Sequence, residues 1–334
     1  MKRRLVWTIL ALLAVSLIVA LFGLQNYRAF VDRPLGTAGP ETRLWVAPGA
    51  SPGRVVAELE RLGLTRADWR WRLLARLQQP AIRAGEYRLA AGITPTGLFE
   101  LLVRGEVVAH SFTIVEGWTL ARLRAALAAD PRLRRSASAL DADALMQALD
   151  CTGCFAEGWF LPETYRFQRG DRDLDLLARA HAAMREALEA AWRSRRADLP
   201  LDDQEQLLIL ASLIEQETTL PAEAAQVAGV FMRRLQRGMR LQTDPTVAYG
   251  VELPPGGRLR RVHLQTDHPW NTYTRHGLPA TPIALPGRAA LEAAARPADG
   301  DALYFVARGD GSHQFSTTLA EHNAAVRRYI LGQP

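Results

Sequence analysis

The chain has 334 residues, 48% of them hydrophobic and 23% charged, a composition that supports a buried core and excludes a disordered chain. Its net charge of +6 includes Lys2, Arg3 and Arg4; what remains is spread along the rest of the sequence and leaves no basic footprint for nucleic acid. All but Lys2 of the 41 basic residues are arginine, which reads as a bias of composition, and two cysteines can build neither a zinc site nor a disulfide scaffold.

Leu5 to Leu24 carries no charge. As a helix this run is about 30 Å long, one hydrocarbon thickness. It exceeds the apolar region of a signal peptide, and no small-x-small cleavage site follows directly. The expectation is therefore a retained single-pass anchor over residues 5–24. Residues 1–4 then stay cytoplasmic by the positive-inside rule, and everything beyond lies outside the membrane. Residues 25–42 are expected to form a linker, with Pro and Gly punctuation from Asp32 to Pro40.

From Arg43 to about Asp130 a weak repeat is visible. Leu44-Trp45-Val46, Tyr87-Arg88-Leu89 and Phe112-Thr113-Ile114-Val115 each lead to a glycine (Gly49, Gly92, Gly117). An apolar 3–4 pattern follows each glycine, so each unit reads as strand, turn and amphipathic helix. Thr94 and Thr119 occupy N-cap positions. The pattern predicts a small βα module over 43–110, which could equally be a spacer or a glycan binder, and a larger α+β domain over 111–334.

Residues 131–200 read as mostly helical, interrupted at 150–155 and at 157–165. Cys151 and Cys154 form a CxxC without the strand and helix of a redox motif, so they form a local disulfide or two inert thiols. Gln204 to Thr218 is the clearest helix, opened by Asp203 and Gln206 and apolar nearly all round from Leu207 to Ile214. Pro221 opens a second helix with Val227, Val230, Phe231 and Leu235 on one stripe, closed by Gly238. Met239 to Thr246 reads as loop, and 250–287 as a long Pro/Gly-rich loop region of functional kind, arginine-rich from Leu253 to Arg261. A strand over Leu303–Ala307 and a helix from about Thr318 to Ile330 complete the chain.

The candidate acids are Glu215 and Glu217, at the end of the buried helix. Two residues apart, they lie about 200° apart around its axis. Glu217 lies over Ile214, Leu213 and Leu210, the more apolar side. Desolvation there would raise its pKa toward the range a general acid needs.

The order ASLIEQET (211–218), RLQRGMRLQTDPT (234–246) and Asn271-Thr272-Tyr273 resembles the YceG-like family of membrane-anchored endolytic murein transglycosylases. Glu157-Gly158-Trp159-Phe160, Gly277-Leu278-Pro279, Tyr304-Phe305-Val306, His313-x-Phe315 and His322-Asn323 extend the likeness. The resemblance implies that the 43–110 module is LysM-like and that Glu217, the second acid of E-x-E-T, is the catalytic residue. It also implies that Gln242, Thr243, Asp244, Tyr249, Asn271 and Tyr273 line the glycan cleft; Asp244 either orients a donor or caps the turn before Pro245. The implied reaction cuts nascent glycan strands between N-acetylmuramic acid and N-acetylglucosamine without water, leaving a 1,6-anhydro end. The implied partners are glycan strands and glycan polymerases or penicillin-binding proteins, and the implied place is the inner membrane with the catalytic part periplasmic. No metal or organic cofactor is expected. A hydrolytic muramidase using Asp244 as second carboxylate and a non-catalytic glycan-binding scaffold are the two rival readings.

Overall fold

The computed structural model describes residues 2–36, 39, 42–253 and 257–333. Residues 37, 38, 40 and 41 of the expected linker, and residues 254–256 of the arginine-rich stretch, lie outside the described residues. The chain divides into two compact units: one runs up to His110 and includes Gln168–Gly170, the other takes Ser111–Phe167 and Asp171 onward.

The first unit opens on helix α1 (Lys2–Asp32), among the described residues the one helix long and apolar enough to cross a membrane. None of its uncharged run is buried within the protein, as suits a segment facing lipid. The helix does not stop where the apolar run stops. It continues through Gln25–Asp32, which replaces the first part of the expected linker with helix. The cause is packing: Phe30 is buried and meets Trp71 edge-on, with ring centroids 5.2 Å apart. Strand β1 (Arg43–Val46) pairs antiparallel with β2 (Gly85–Arg88), Leu44 opposite Tyr87. Helices α2 (Pro52–Arg61), α3 (Trp69–Gln78) and α4 (Pro95–Arg104) complete the module. Ser51 and Thr94 cap α2 and α4, each accepting a backbone N–H from three residues on. Leu44, Leu59, Leu89, Leu98 and Leu102 are fully buried between the hairpin and these helices.

The second unit begins at Ser111, within β3 (Ala109–Thr113), and continues to α5 (Leu120–Ala129), capped by Thr119. The third βα repeat therefore belongs mainly with the second unit and not with the first two. Helix α6 (Ala142–Ala148) leads to Cys151 and Cys154, which are joined in a disulfide. Strand β4 (Thr164–Gln168), within a region read as mostly helical, pairs with β3. Next come α7 (Asp173–Arg193), α8 (Gln204–Glu217) and α9 (Pro221–Gln236). Every residue of α8 from Leu207 to Ile214 is buried, as an all-round apolar helix must be. α7, α9 and α12 (Arg288–Ala295) surround it.

Between α9 and α12 the chain is not all loop. Helix α10 (Asp244–Gly250) starts inside the segment read as loop, because Pro245 sits in its first turn, where a missing N–H costs nothing. Helix α11 (Arg261–Gln265) follows. The chain closes with the antiparallel hairpin β5 (Tyr304–Ala307) and β6 (His313–Ser316), Phe305 opposite Phe315, and with α13 (Leu319–Tyr329), opened by a Thr318/Glu321 capping box.

Candidate active site

Glu217 is the last residue of α8, and Thr218 breaks the helix with extended backbone. The apolar body of α8 removes water from one side of its carboxyl. Burial pushes the Glu217 pKa above the ordinary carboxylate range, and the nearby Asp244 charge pushes it further; the Thr243 hydrogen bond, His313 and Arg234 oppose the shift. A helix C-terminus, with its partial negative charge, also disfavours a carboxylate. The Thr243 hydroxyl donates to Glu217 Oε1. Thr243 holds the N-cap position of α10 yet makes no capping bond, since its hydroxyl is turned to the acid instead.

Glu217 opens on a cleft of about 540 Å³ formed with Arg234 of α9, Gln242, Asp244, Tyr273, and residues of the β5–β6 hairpin and α13. Asp244 does not cap the turn. It is the first residue of α10, and its Oδ1 accepts the Tyr273 hydroxyl at 2.5 Å. Gln242 has φ +49°, in the left-handed region that favours glycine. Its N–H is tied to the Thr272 carbonyl at 3.2 Å. Such strain, costing about 1–3 kcal/mol, collects at functional sites.

Three residues expected to line the cleft do not: Thr243 is buried behind Glu217, and Asn271 and Tyr249 lie elsewhere. Asn271 is wholly buried: its Nδ2 donates to the Leu264 and Thr266 carbonyls, and its Oδ1 accepts the Tyr273 N–H at 2.8 Å. It shapes the loop that carries Tyr273 and does not line the cleft. Tyr249 lies across α10 from the acid. Its hydroxyl donates to Glu157 at 3.3 Å and its ring meets Trp270 edge-on. Glu157 is itself 5% exposed, accepts the Leu120 N–H at 2.9 Å at the start of α5, and is pushed up to about 7 by burial.

Glu215 points to a different place. Its Oε2 accepts the Gly287 N–H at 2.9 Å, and it lines a separate cleft of about 410 Å³ with Glu116. Burial raises its pKa too, and the Glu116 charge adds to this. The two glutamates therefore face different surroundings, as their spacing requires.

Residues that sequence reasoning did not assign to the cleft include Arg234, Tyr304, His313 and His322. His313 Nδ1 lies 2.8 Å from Glu223 Oε2. A signal for Arg234 was present: it falls four residues after Val230, on the buried stripe of α9.

A carboxyl held by one hydroxyl at the end of an apolar helix, its pKa raised by burial and its face open to a cleft, can give and take a proton. A profile of the YceG-like family matches residues 44–328, and the chain belongs to that family. It is 32% identical to the endolytic murein transglycosylase of Bacillus subtilis (strain 168), the match covering 74% of this chain and 73% of the relative. Against the endolytic murein transglycosylase of Streptococcus pneumoniae serotype 2 (strain D39) it is 24% identical, over 85% of this chain and 58% of that protein. The 2.6 Å crystal structure of a putative YceG-like protein from Listeria monocytogenes matches with a TM-score of 0.55 at 26% identity, covering 85% of this chain and 98% of that one. The fold is thus the α+β fold of that family, preceded by an apolar helix compatible with a single-pass anchor.

Proposed function

We infer that this chain is a peptidoglycan lytic transglycosylase, a lyase acting on murein glycan strands, in keeping with the names its relatives carry. The observation that carries the reading is Glu217: a desolvated carboxyl, hydrogen-bonded by Thr243, on the wall of a cleft of about 540 Å³. In its protonated form Glu217 gives its proton to the glycosidic oxygen as the bond from muramic acid C1 breaks. The resulting carboxylate then accepts the proton of the muramic acid C6 hydroxyl as that oxygen attacks C1. The product is a 1,6-anhydro end, no water is consumed, and Glu217 is returned protonated. One carboxyl serves as acid and then base.

Gln242, Asp244 and Tyr273 would hold the sugar rings, with Asp244 and Tyr273 acting as one hydrogen-bonded pair. The module over 43–110 is read as LysM-like and as a glycan-holding element. The chain would sit in the inner membrane by residues 5–24 with both later parts in the periplasm, where it would cut strands as glycan polymerases or penicillin-binding proteins make them.

Incubating the chain with uncrosslinked glycan strands and weighing the products tests this reading. Anhydro-muramyl ends are expected. Reducing muramyl ends would make the enzyme a hydrolase with Asp244 as second carboxylate, and uncut strands would leave a glycan-binding scaffold.

A further inference from the structure

Arg234 carries a charge that meets a carboxylate, Glu217, only through space. It stands on the buried stripe of α9 and is 8% exposed. Taking a guanidinium out of water costs several kcal/mol unless it is well paired. Among the described residues no carboxylate is hydrogen-bonded or ion-paired to Arg234. Its Nε donates to the Leu303 carbonyl at 2.7 Å and its Nη1 to the Leu241 carbonyl at 2.8 Å. The guanidinium lies over the Tyr304 ring, 5.1 Å from its centroid, and His322 stacks on the same ring at 5.2 Å. Arg234, Tyr304 and His322 line the cleft that holds Glu217. The guanidinium fork is therefore fixed before a ligand arrives, and its Nη2 makes no hydrogen bond to a described residue.

A fixed positive charge does not help a sugar ring that itself gains positive charge as the glycosidic bond breaks. The charge of Arg234 therefore suits recognition of a part of the substrate remote from C1. Hydroxyl and N-acetyl groups occur on both sugars of the strand. The group that muramic acid alone carries is the lactyl ether at C3. Its carbonyl is an amide where a stem peptide is attached and a carboxylate where the strand is bare. With Nε and Nη1 held by backbone carbonyls, Nη2 is the donor that remains to meet a carbonyl or carboxylate oxygen, as a charge-assisted hydrogen bond.

We propose that Arg234 is a specificity-determining residue that takes the lactyl carbonyl of the muramic acid whose C1 is attacked, so that the bond beside Glu217 is one on the muramic side. The proposal rests on the transglycosylase reading above. It is tested by binding, without turnover, in the full chain carrying Glu217→Gln. The probes are the alternating GlcNAc–MurNAc tetrasaccharide, with and without stem peptides, and chitotetraose, which has the N-acetyl groups and no lactyl group. The parent is expected to prefer the muramyl ligand by about tenfold to a hundredfold, the range of one hydrogen bond to a charged group. Adding Arg234→Gln should abolish that preference while chitotetraose binds as before. A larger loss on the peptide-free ligand marks the carboxylate as the partner, and an equal loss marks the amide carbonyl; either supports the proposal. The preference is a ratio, so it is insensitive to the fraction of folded protein. If the Gln variant does not fold, Arg234→Lys decides, since it keeps the charge without the fixed Nη2 donor and should lose several-fold in preference. No preference in the parent, a preference that survives both substitutions, or equal weakening of both ligands overturns the proposal. Failure of the transglycosylase reading shows separately, as strands left uncut by the unsubstituted chain.

Discussion

Replacing Glu217 by Gln keeps the size of the side chain and its capacity to accept the Thr243 hydroxyl, and removes the transferable proton. General acid–base work contributes about 10²–10⁴-fold, equivalent to about 3–5 kcal/mol in the barrier. Strand cleavage should fall by at least a hundredfold by that range. Glu215→Gln is the internal control. It loses a charged acceptor for the Gly287 N–H but leaves the Glu217 cleft intact, so its rate should stay within a few-fold of the parent. The pH dependence sharpens the comparison. The acid must be protonated to begin the reaction, so activity should decline as pH rises through the elevated Glu217 pKa. Because the Glu215 pKa is raised as well, that decline must persist in Glu215→Gln to belong to Glu217. The assay is liberation of anhydro-muramyl ends from uncrosslinked strands, read by mass across pH, with circular dichroism confirming equal folding. Equal losses in the two variants, or a decline that disappears in Glu215→Gln, would refute the assignment.

Thr243→Val removes a hydrogen bond that favours the Glu217 carboxylate, so the alkaline decline should move up by about one pH unit, the size of one hydrogen bond to a charged group, measurable in the same assay. Glu157 has a folded pKa of about 7, above the value it takes unfolded, so its contribution to stability is full at acid pH and is lost as pH rises toward about 7. Glu157→Gln should abolish that slope, which is worth at most about 3 kcal/mol, in melting of the full chain in detergent between pH 5 and 8.5. A double Cys→Ser variant at 151 and 154 should keep most of its turnover, because the disulfide lies at neither cleft.

What the sequence made legible was what depends on neighbours along the chain. The caps Thr94, Thr119 and Asp203, the glycine turns and the all-round apolar run of α8 fix elements locally, and those elements form where expected. Helix α12 escaped because its buried face is alanine but for Leu291: Ala290, Ala293, Ala294 and Ala295 offer little contrast of hydrophobicity, only smallness that lets the helix pack on α8. The site divides along the same line. Glu217 could be separated from Glu215 because both sit on one helix, where spacing fixes direction. Tyr249 could not be separated from Asp244 while 239–246 read as loop. Once α10 forms, five residues turn the chain about 140° beyond a full turn, which points Tyr249 toward Glu157 and leaves Asp244 at the cleft. Asn271 and Tyr273, two residues apart, divide likewise into a buried loop anchor and a cleft hydroxyl. Arg234 reached the cleft by another route: a helix stripe delivered it to the core, and only the β5–β6 hairpin, about 70 residues on by the span of its bond to Leu303, decided that this patch of core would be a wall of the site. The desolvation of Glu217 thus rests on a local fact, the apolar end of α8, whereas its partners Thr243 and Asp244 and the neighbouring Arg234 reach it through contacts between distant segments.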